Sequence, residues 1–178
     1  EVPLLDETGR AQLRAKKVRM GPILIFIPAL NKPAAIHLRA LLLGLWRDKP
    51  LPIKIPADGV VSEKIEDQDI DKVLYQSIGY PVFGPRALRI DMLDRVVVDI
   101  YDTSKDWKFQ AQHKYCEWLG CTVEDLYKVL EAMGHSRLVE EQKEENTSDA
   151  EADGEKKSAE LDWFQLRKGK MSSVTKRA

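Results

Sequence analysis

Arg86-Ala87-Leu88-Arg89-Ile90-Asp91-Met92-Leu93-Asp94-Arg95-Val96-Val97-Val98-Asp99-Ile100-Tyr101 is the most clearly amphipathic stretch of this 178-residue chain. Leu88, Met92, Leu93, Val96, Val97 and Ile100 recur at the three- and four-residue spacing of one helix face, with Asp91, Asp94, Arg95 and Asp99 mostly opposite. The spacing predicts a helix over 86–101, entered through Arg86 and Arg89. On its N-terminal side, Gly84-Pro85 closes a short apolar run, Tyr80 to Phe83, that reads as a strand. On its C-terminal side, residues 113–138 have a helix-turn-helix rhythm. Tyr115 to Leu119 stops at Gly120, and Thr122 caps a second helix with Asp125 three residues on. That helix runs from Val123 to Met133 and ends at Gly134. Its charges are mostly acidic (Glu124, Asp125, Glu131 against Lys128), so packing is the expected role rather than reading a DNA groove.

Further outward, Asp69 to Ile78 reads as a short helix ended by Gly79, and Ile53-Lys54-Ile55 as an edge strand between prolines. Ile23 to Ile27 is short, β-branched and bounded by Pro22 and Pro28, the pattern of a buried strand. Asn31 is placed to cap the next helix, with Pro33 in its first turn. Ala34 to Arg47 is almost wholly apolar, which predicts a helix buried on most sides. Thr8 to Val18 reads as a basic helix broken by Gly21-Pro22. Leu161 to Leu166 can pair back as a strand. The expected class is α+β: a mostly helical small domain with a few short strands, then a disordered acidic linker and a basic tail. The expected boundaries are 1–138 for the domain, 139–160 for the linker, and 161–178 for the strand and tail.

Charge is segregated. Thr8 to Arg47 holds eight cations (Arg10, Arg14, Lys16, Lys17, Arg19, Lys32, Arg39, Arg47) and no Asp or Glu, although the chain as a whole is at −1. Clustered positive charge costs self-repulsion, and it is the footprint of a surface that meets phosphates. At 100° per residue, Lys32, Arg39 and Arg47 form one narrow basic stripe on their helix; a solvent edge on a buried helix would look the same. Residues 139–160 carry nine acids against three lysines, a composition expected to remain disordered. Beyond them come Arg167, Lys168, Lys170, Lys176 and Arg177 with no acid.

Catalytic motifs are missing. The glycines occur singly, without a phosphate-binding loop or a dinucleotide turn, and no Gly-x-Ser-x-Gly elbow occurs. His37, His113 and His135 lie far apart in sequence. Asp67, Asp69 and Asp71 lack the glycine and glutamate of a calcium loop, so a solvated turn and helix start is expected. Cys116, Cys121 and His113 lack a fourth zinc ligand, and reduced thiols in a cytoplasm are the expected state. Tyr75, Tyr80 and Phe83 offer rings for base stacking, although aromatics beside predicted strands are more often core. The longest apolar run, Ile23 to Leu30, is too short to span a membrane, and no membrane partner is expected. The chain starts Glu-Val-Pro-Leu-Leu-Asp-Glu, without an initiator Met or a signal-peptide pattern, which reads as a fragment or processed product.

Three stretches in order carry a resemblance. The first is Val18-Arg19-Met20-Gly21 followed by Ile25-Phe26-Ile27-Pro28-Ala29-Leu30-Asn31-Lys32-Pro33-Ala34-Ala35 and Leu38-Arg39-Ala40-Leu41-Leu42. The second is Gly79-Tyr80 followed by Gly84 to Arg95. The third is Leu119-Gly120-Cys121-Thr122-Val123-Glu124-Asp125-Leu126 and Leu130 to Gly134. Together they resemble the C-terminal region of the alphaproteobacterial ATP-dependent helicases related to the mitochondrial Suv3 RNA helicase, over about residues 10 to 138 and again in the final basic tail. The chain departs from that family's pattern in a longer acidic insert before the tail.

The resemblance implies a superfamily 2 parent whose upstream RecA-like domains bind ATP and magnesium. No position here matches the family's phosphate loop or DExH box, so no cofactor and no catalytic residue is expected in this segment. The expected partner is RNA or another single strand, held through Arg10, Arg14, Lys16, Lys17, Arg19, Lys32, Arg39, Arg86, Arg89, Arg167, Lys168 and Lys170. The alternative is a protein-interaction module whose basic face meets an acidic partner or the chain's own acidic linker.

Overall fold

The computed structural model describes residues 5–65, 70–138 and 161–167. Helix α1 (Glu7–Ala15) is capped by Asp6, whose carboxylate accepts the Gly9 N–H at 2.7 Å. A small antiparallel ladder follows, β1 (Arg19–Met20) with β2 (Ile25–Phe26), and then a 3-10 turn (Pro28–Asn31) leads into α2 (Pro33–Trp46). After a loop come β3 (Ser62–Lys64), α3 (Lys72–Ser77), β4 (Val82–Phe83), β5 (Arg86–Leu88) and α4 (Ile90–Thr103). The described chain ends with β6 (Lys108–Gln110), α5 (His113–Leu119), α6 (Val123–Ala132), β7 (Ser136–Leu138) and β8 (Trp163–Gln165). The class is α+β, as the sequence implies.

Two three-stranded antiparallel sheets organise the chain, in the orders β3-β5-β4 and β6-β8-β7. The larger core joins Leu93, Val96, Val97 and Ile100 of α4, Tyr115 and Leu119 of α5, Leu126, Val129 and Leu130 of α6, and Phe109 and Phe164 of the second sheet. A smaller core joins Ile36 and Ala40 of α2 with Tyr75, Ile78, Tyr80 and Ala87. The α5–α6 turn follows its sequence signals. Gly120 takes the left-handed conformation (φ 58°), and Thr122 Oγ1 accepts the Asp125 N–H at 3.3 Å. Residues beyond the acidic segment complete the fold, because β8 is the central strand of its sheet and buries Phe164 and Leu166. The expected boundary at 138 is therefore one of composition alone. The expected disorder of 139–160 lies outside the described residues.

Several expectations are corrected. Arg86 to Leu88 is not the first turn of a helix: it is a strand paired on both sides, and α4 starts at Ile90. The two ladders bury Ala87 and Leu88 completely and outweigh the local helical pattern. Ile53 to Ile55 forms no strand, and the helix expected over 69–78 is shortened to Lys72–Ser77, capped by Asp71. Ile23, Ile25 and Ile27 are exposed, because their strand pairs with only one two-residue neighbour. Asn31 ends the 3-10 turn, and Lys32 occupies the N-cap of α2 without a side-chain bond. Helix α2 itself is not buried on most sides, since only Ile36, Ala40 and Gly44 are fully covered.

His135 couples this core to pH. Its ring meets Phe109 edge-on at 5.1 Å, and its Nδ1 accepts the Arg167 N–H at 3.2 Å. Burial, then the nearby Arg167 charge, pushes the imidazole down to about 4, so it stays neutral in the fold. A depressed folded value means that stability is complete above the unfolded value of about 6.5 and falls as protons bind the unfolded chain. Between about pH 6.5 and 4 we expect a loss approaching ~3 kcal/mol, read by urea denaturation at stepped pH. His135→Gln should flatten that dependence, and an equally steep slope in the variant would assign it elsewhere.

Candidate nucleic-acid interface

The basic arm projects from the N-terminal part of the fold. Arg14, Lys16 and Lys17 are exposed, and none has an ion pair among the described residues. Arg10 is half-buried, and its Nε lacks a hydrogen-bond partner among the described residues. Lys17 takes a left-handed conformation (φ 60°), which turns the chain out of α1 and into β1. Arg19 anchors the arm: its Nε donates to Oδ2 of the buried Asp94 on α4 at 3.0 Å, while half of its side chain stays open to solvent. A Cβ on Gly21 would stand 1.9 Å from Asp94 Oδ1, so a side chain there would have to displace the carboxylate that holds Arg19. Lys32 is exposed at the start of α2. Four full charges, on Arg14, Lys16, Lys17 and Lys32, thus remain available, with Arg19 partly so.

Three other expected contact residues, Arg39, Arg86 and Arg89, are engaged within the fold. The stripe of Lys32, Arg39 and Arg47 is broken at its centre: Lys32 and Arg47 are exposed, but Arg39 turns into the fold. Arg39 donates from Nη1 to Ser77 O and from Nη2 to Leu30 O and Ile78 O, a clamp that ties the C-terminus of α3 and the 3-10 turn to α2. Arg47 pairs with Asp71, the cap of α3. Arg86 donates to Asp125 Oδ2 at 2.8 Å and also reaches Ser62 Oγ and Gly120 O. Arg89 donates to Asp91 Oδ1 at 2.7 Å, a bond that raises its pKa further. Arg167 is exposed and follows the buried Leu166; Lys168 and Lys170 lie outside the described residues.

The candidate chemistry elsewhere resolves mostly into packing. Tyr75 and Tyr80 are buried, with the Tyr80 hydroxyl donating to Val60 O, and Phe83 is half-buried. Neither tyrosine ring can take a base. Cys116 and Cys121 are free thiols, and burial pushes both up, Cys121 to about 12, so neither is a thiolate at neutral pH. Among the described residues no cluster of His, Cys, Asp or Glu is placed to hold a metal ion. Asp67 and Asp69 lie outside those residues. No described helix is long and apolar enough to cross a membrane.

Two surfaces were not anticipated. The first is the outer side of α2, where Leu38, Leu41, Leu42, Leu45 and Trp46 are exposed, Trp46 to 86%. Beside it runs an open groove of about 720 Å³ lined by His37, Leu38, Leu41, Leu51, Pro52 and Ile53. A signal for this face is present in the sequence. Ile36, Ala40 and Gly44 form a narrow stripe ending in small residues, and a Cβ at Gly44 would meet Ile53 Cδ1 at 2.1 Å. Close packing is thus confined to that stripe, leaving the leucines on the far side unpartnered. The second surface is the face of the β6-β8-β7 sheet turned away from the core, where Trp163 is exposed. Comparison with family models, curated proteins and solved structures gives no match to this chain.

Proposed function

We propose that this chain is an accessory domain that holds single-stranded nucleic acid, RNA in the first place, by its phosphates beside an ATP-driven superfamily 2 helicase motor. The observation that carries the reading is the group of exposed cations at Arg14, Lys16, Lys17 and Lys32 in an acid-free run, without ion pairs among the described residues. Unpaired, solvated cations bind phosphates by releasing counterions, and they read no sequence. ATP and magnesium would belong to RecA-like domains of the same parent; none of the residues described here is assigned to them. The apolar face of α2 gives those domains a surface to rest on, since a contiguous exposed patch of this kind marks a protein contact.

That same patch favours the second reading, a protein-interaction module whose basic face meets an acidic partner or residues 139–160. The two readings separate on one measurement. Binding of a labelled oligouridylate is followed by fluorescence anisotropy across salt for the wild type and for the triple variant Arg14→Ala, Lys16→Ala, Lys17→Ala. If these cations hold phosphates, the slope of log affinity against log salt should shrink by about 2 in the variant, at roughly 0.7 per phosphate on a single strand. An unchanged slope would move the cations to the protein-binding reading.

A further inference from the structure

The register of the second sheet defines a face that no role above uses. Phe109 pairs with Phe164, and both are buried against the core. Side chains alternate along a strand, so the rows on either side of that pair point the other way. One row is Lys108, Gln165 and Ser136; the next is Gln110, Trp163 and Leu138. Trp163 opens the central strand, paired with Gln110 on one side and Leu138 on the other, and yet keeps 42% of its surface open. Lys108 and Ser136 are exposed as well, and Gln110, Leu138 and Gln165 are half-buried, so no described element covers this face. Gln110 donates from Nε2 to Leu161 O at 3.1 Å, which steadies the edge beside the ring.

The six residues of this face hold one cation, two amides, a hydroxyl and a large aromatic ring, and no carboxylate. Positive charge next to an exposed indole complements a strand that offers phosphates and unstacked bases together. We propose that Trp163 stacks an unpaired base of a single-stranded nucleic acid, with Lys108 beside it for a neighbouring phosphate. Lys108 is the diagonal neighbour of Trp163 across the ladder, at roughly 7–8 Å. Gln165 lies directly opposite Lys108, within reach of a base edge. The inference rests on the nucleic-acid reading above and adds to it. The arm supplies salt-dependent attraction, and the sheet supplies a contact that depends on the base and not on salt.

The test uses the intact chain and two probes of equal length and charge, an oligothymidylate and its abasic counterpart. At fixed salt we expect the wild type to bind the abasic strand roughly 10- to 100-fold more weakly, the range that one stacked base is worth. Trp163→Ala should weaken oligothymidylate binding by a similar factor, leave the salt slope unchanged and abolish the discrimination, whereas Trp163→Phe should keep most of it. Equal wild-type affinity for the two strands would overturn the proposal, as would discrimination that survives in Trp163→Ala. The wild-type comparison does not depend on how any variant folds. Salt-dependent binding without base discrimination would remove the stacking site alone, and absence of binding to either strand would remove both readings. If the face takes a protein segment instead, Trp163→Ala will leave binding of both strands as it was, which also overturns it.

Discussion

Replacing Phe164 with Ala is expected to cost the fold about 3–5 kcal/mol, the range for removing a buried aromatic ring. Phe164 is fully buried, stacked on Phe109 with ring centroids 5.7 Å apart and tilted on Tyr127 at 5.4 Å. It also sits at the middle of the strand that pairs with both β6 and β7, so a void there removes contacts on each side. Domain stabilities lie near 5–15 kcal/mol, so the loss takes a large share of the total. Urea denaturation followed by circular dichroism gives the number. Trp163→Ala, one residue earlier on the open face, is the control and should cost far less. A small cost at Phe164 would mean that residues beyond the acidic segment do not complete this core.

The second large effect falls on Arg86. Its guanidinium and the Asp125 carboxylate are each only 12% exposed, and Asp125 stands in the first turn of α6. Removing the arginine leaves a buried carboxylate without its counter-charge, which typically costs about 3–5 kcal/mol. The same substitution also drops the reach to Ser62 and Gly120, which joins the first sheet to the α5–α6 turn. Arg86→Lys should recover little, because an ammonium cannot keep the planar fork. Arg14→Ala, by contrast, should leave stability within about 0.5 kcal/mol and act only on nucleic-acid binding. Equal stability losses at both positions would contradict this division between cations of the fold and cations of the surface.

Much of the helical frame was legible because its signals are local. Thr122 with Asp125, the left-handed Gly120 and the stop at Gly134 place α5 and α6 without reference to the rest of the chain. The return of Leu161 to Leu166 as a strand was legible too, from a short aromatic run after the acidic segment. Other features depend on partners distant in sequence. Arg86 to Leu88 keeps a helical spacing, yet β3 and β4 claim it from both sides. Arg39 looks the same in the sequence whether it faces solvent or three backbone carbonyls, and only the placement of α3 decides. Helix α2 is almost wholly apolar, which reads as burial, although its outer leucines have no partner among the described residues. Within the candidate site, the exposed arm followed from composition, while Arg39 and Arg86 were counted with it because charge alone does not show pairing. Trp163 was not singled out, since only the sheet register reveals which way its ring points.

Salt dependence of single-strand binding by the intact chain tests the central claim most directly. With about five cations on phosphates, the slope of log affinity against log salt should be roughly −3.5. A flat response across salt would contradict phosphate binding by the acid-free arm, and the helicase-accessory reading would fall with it.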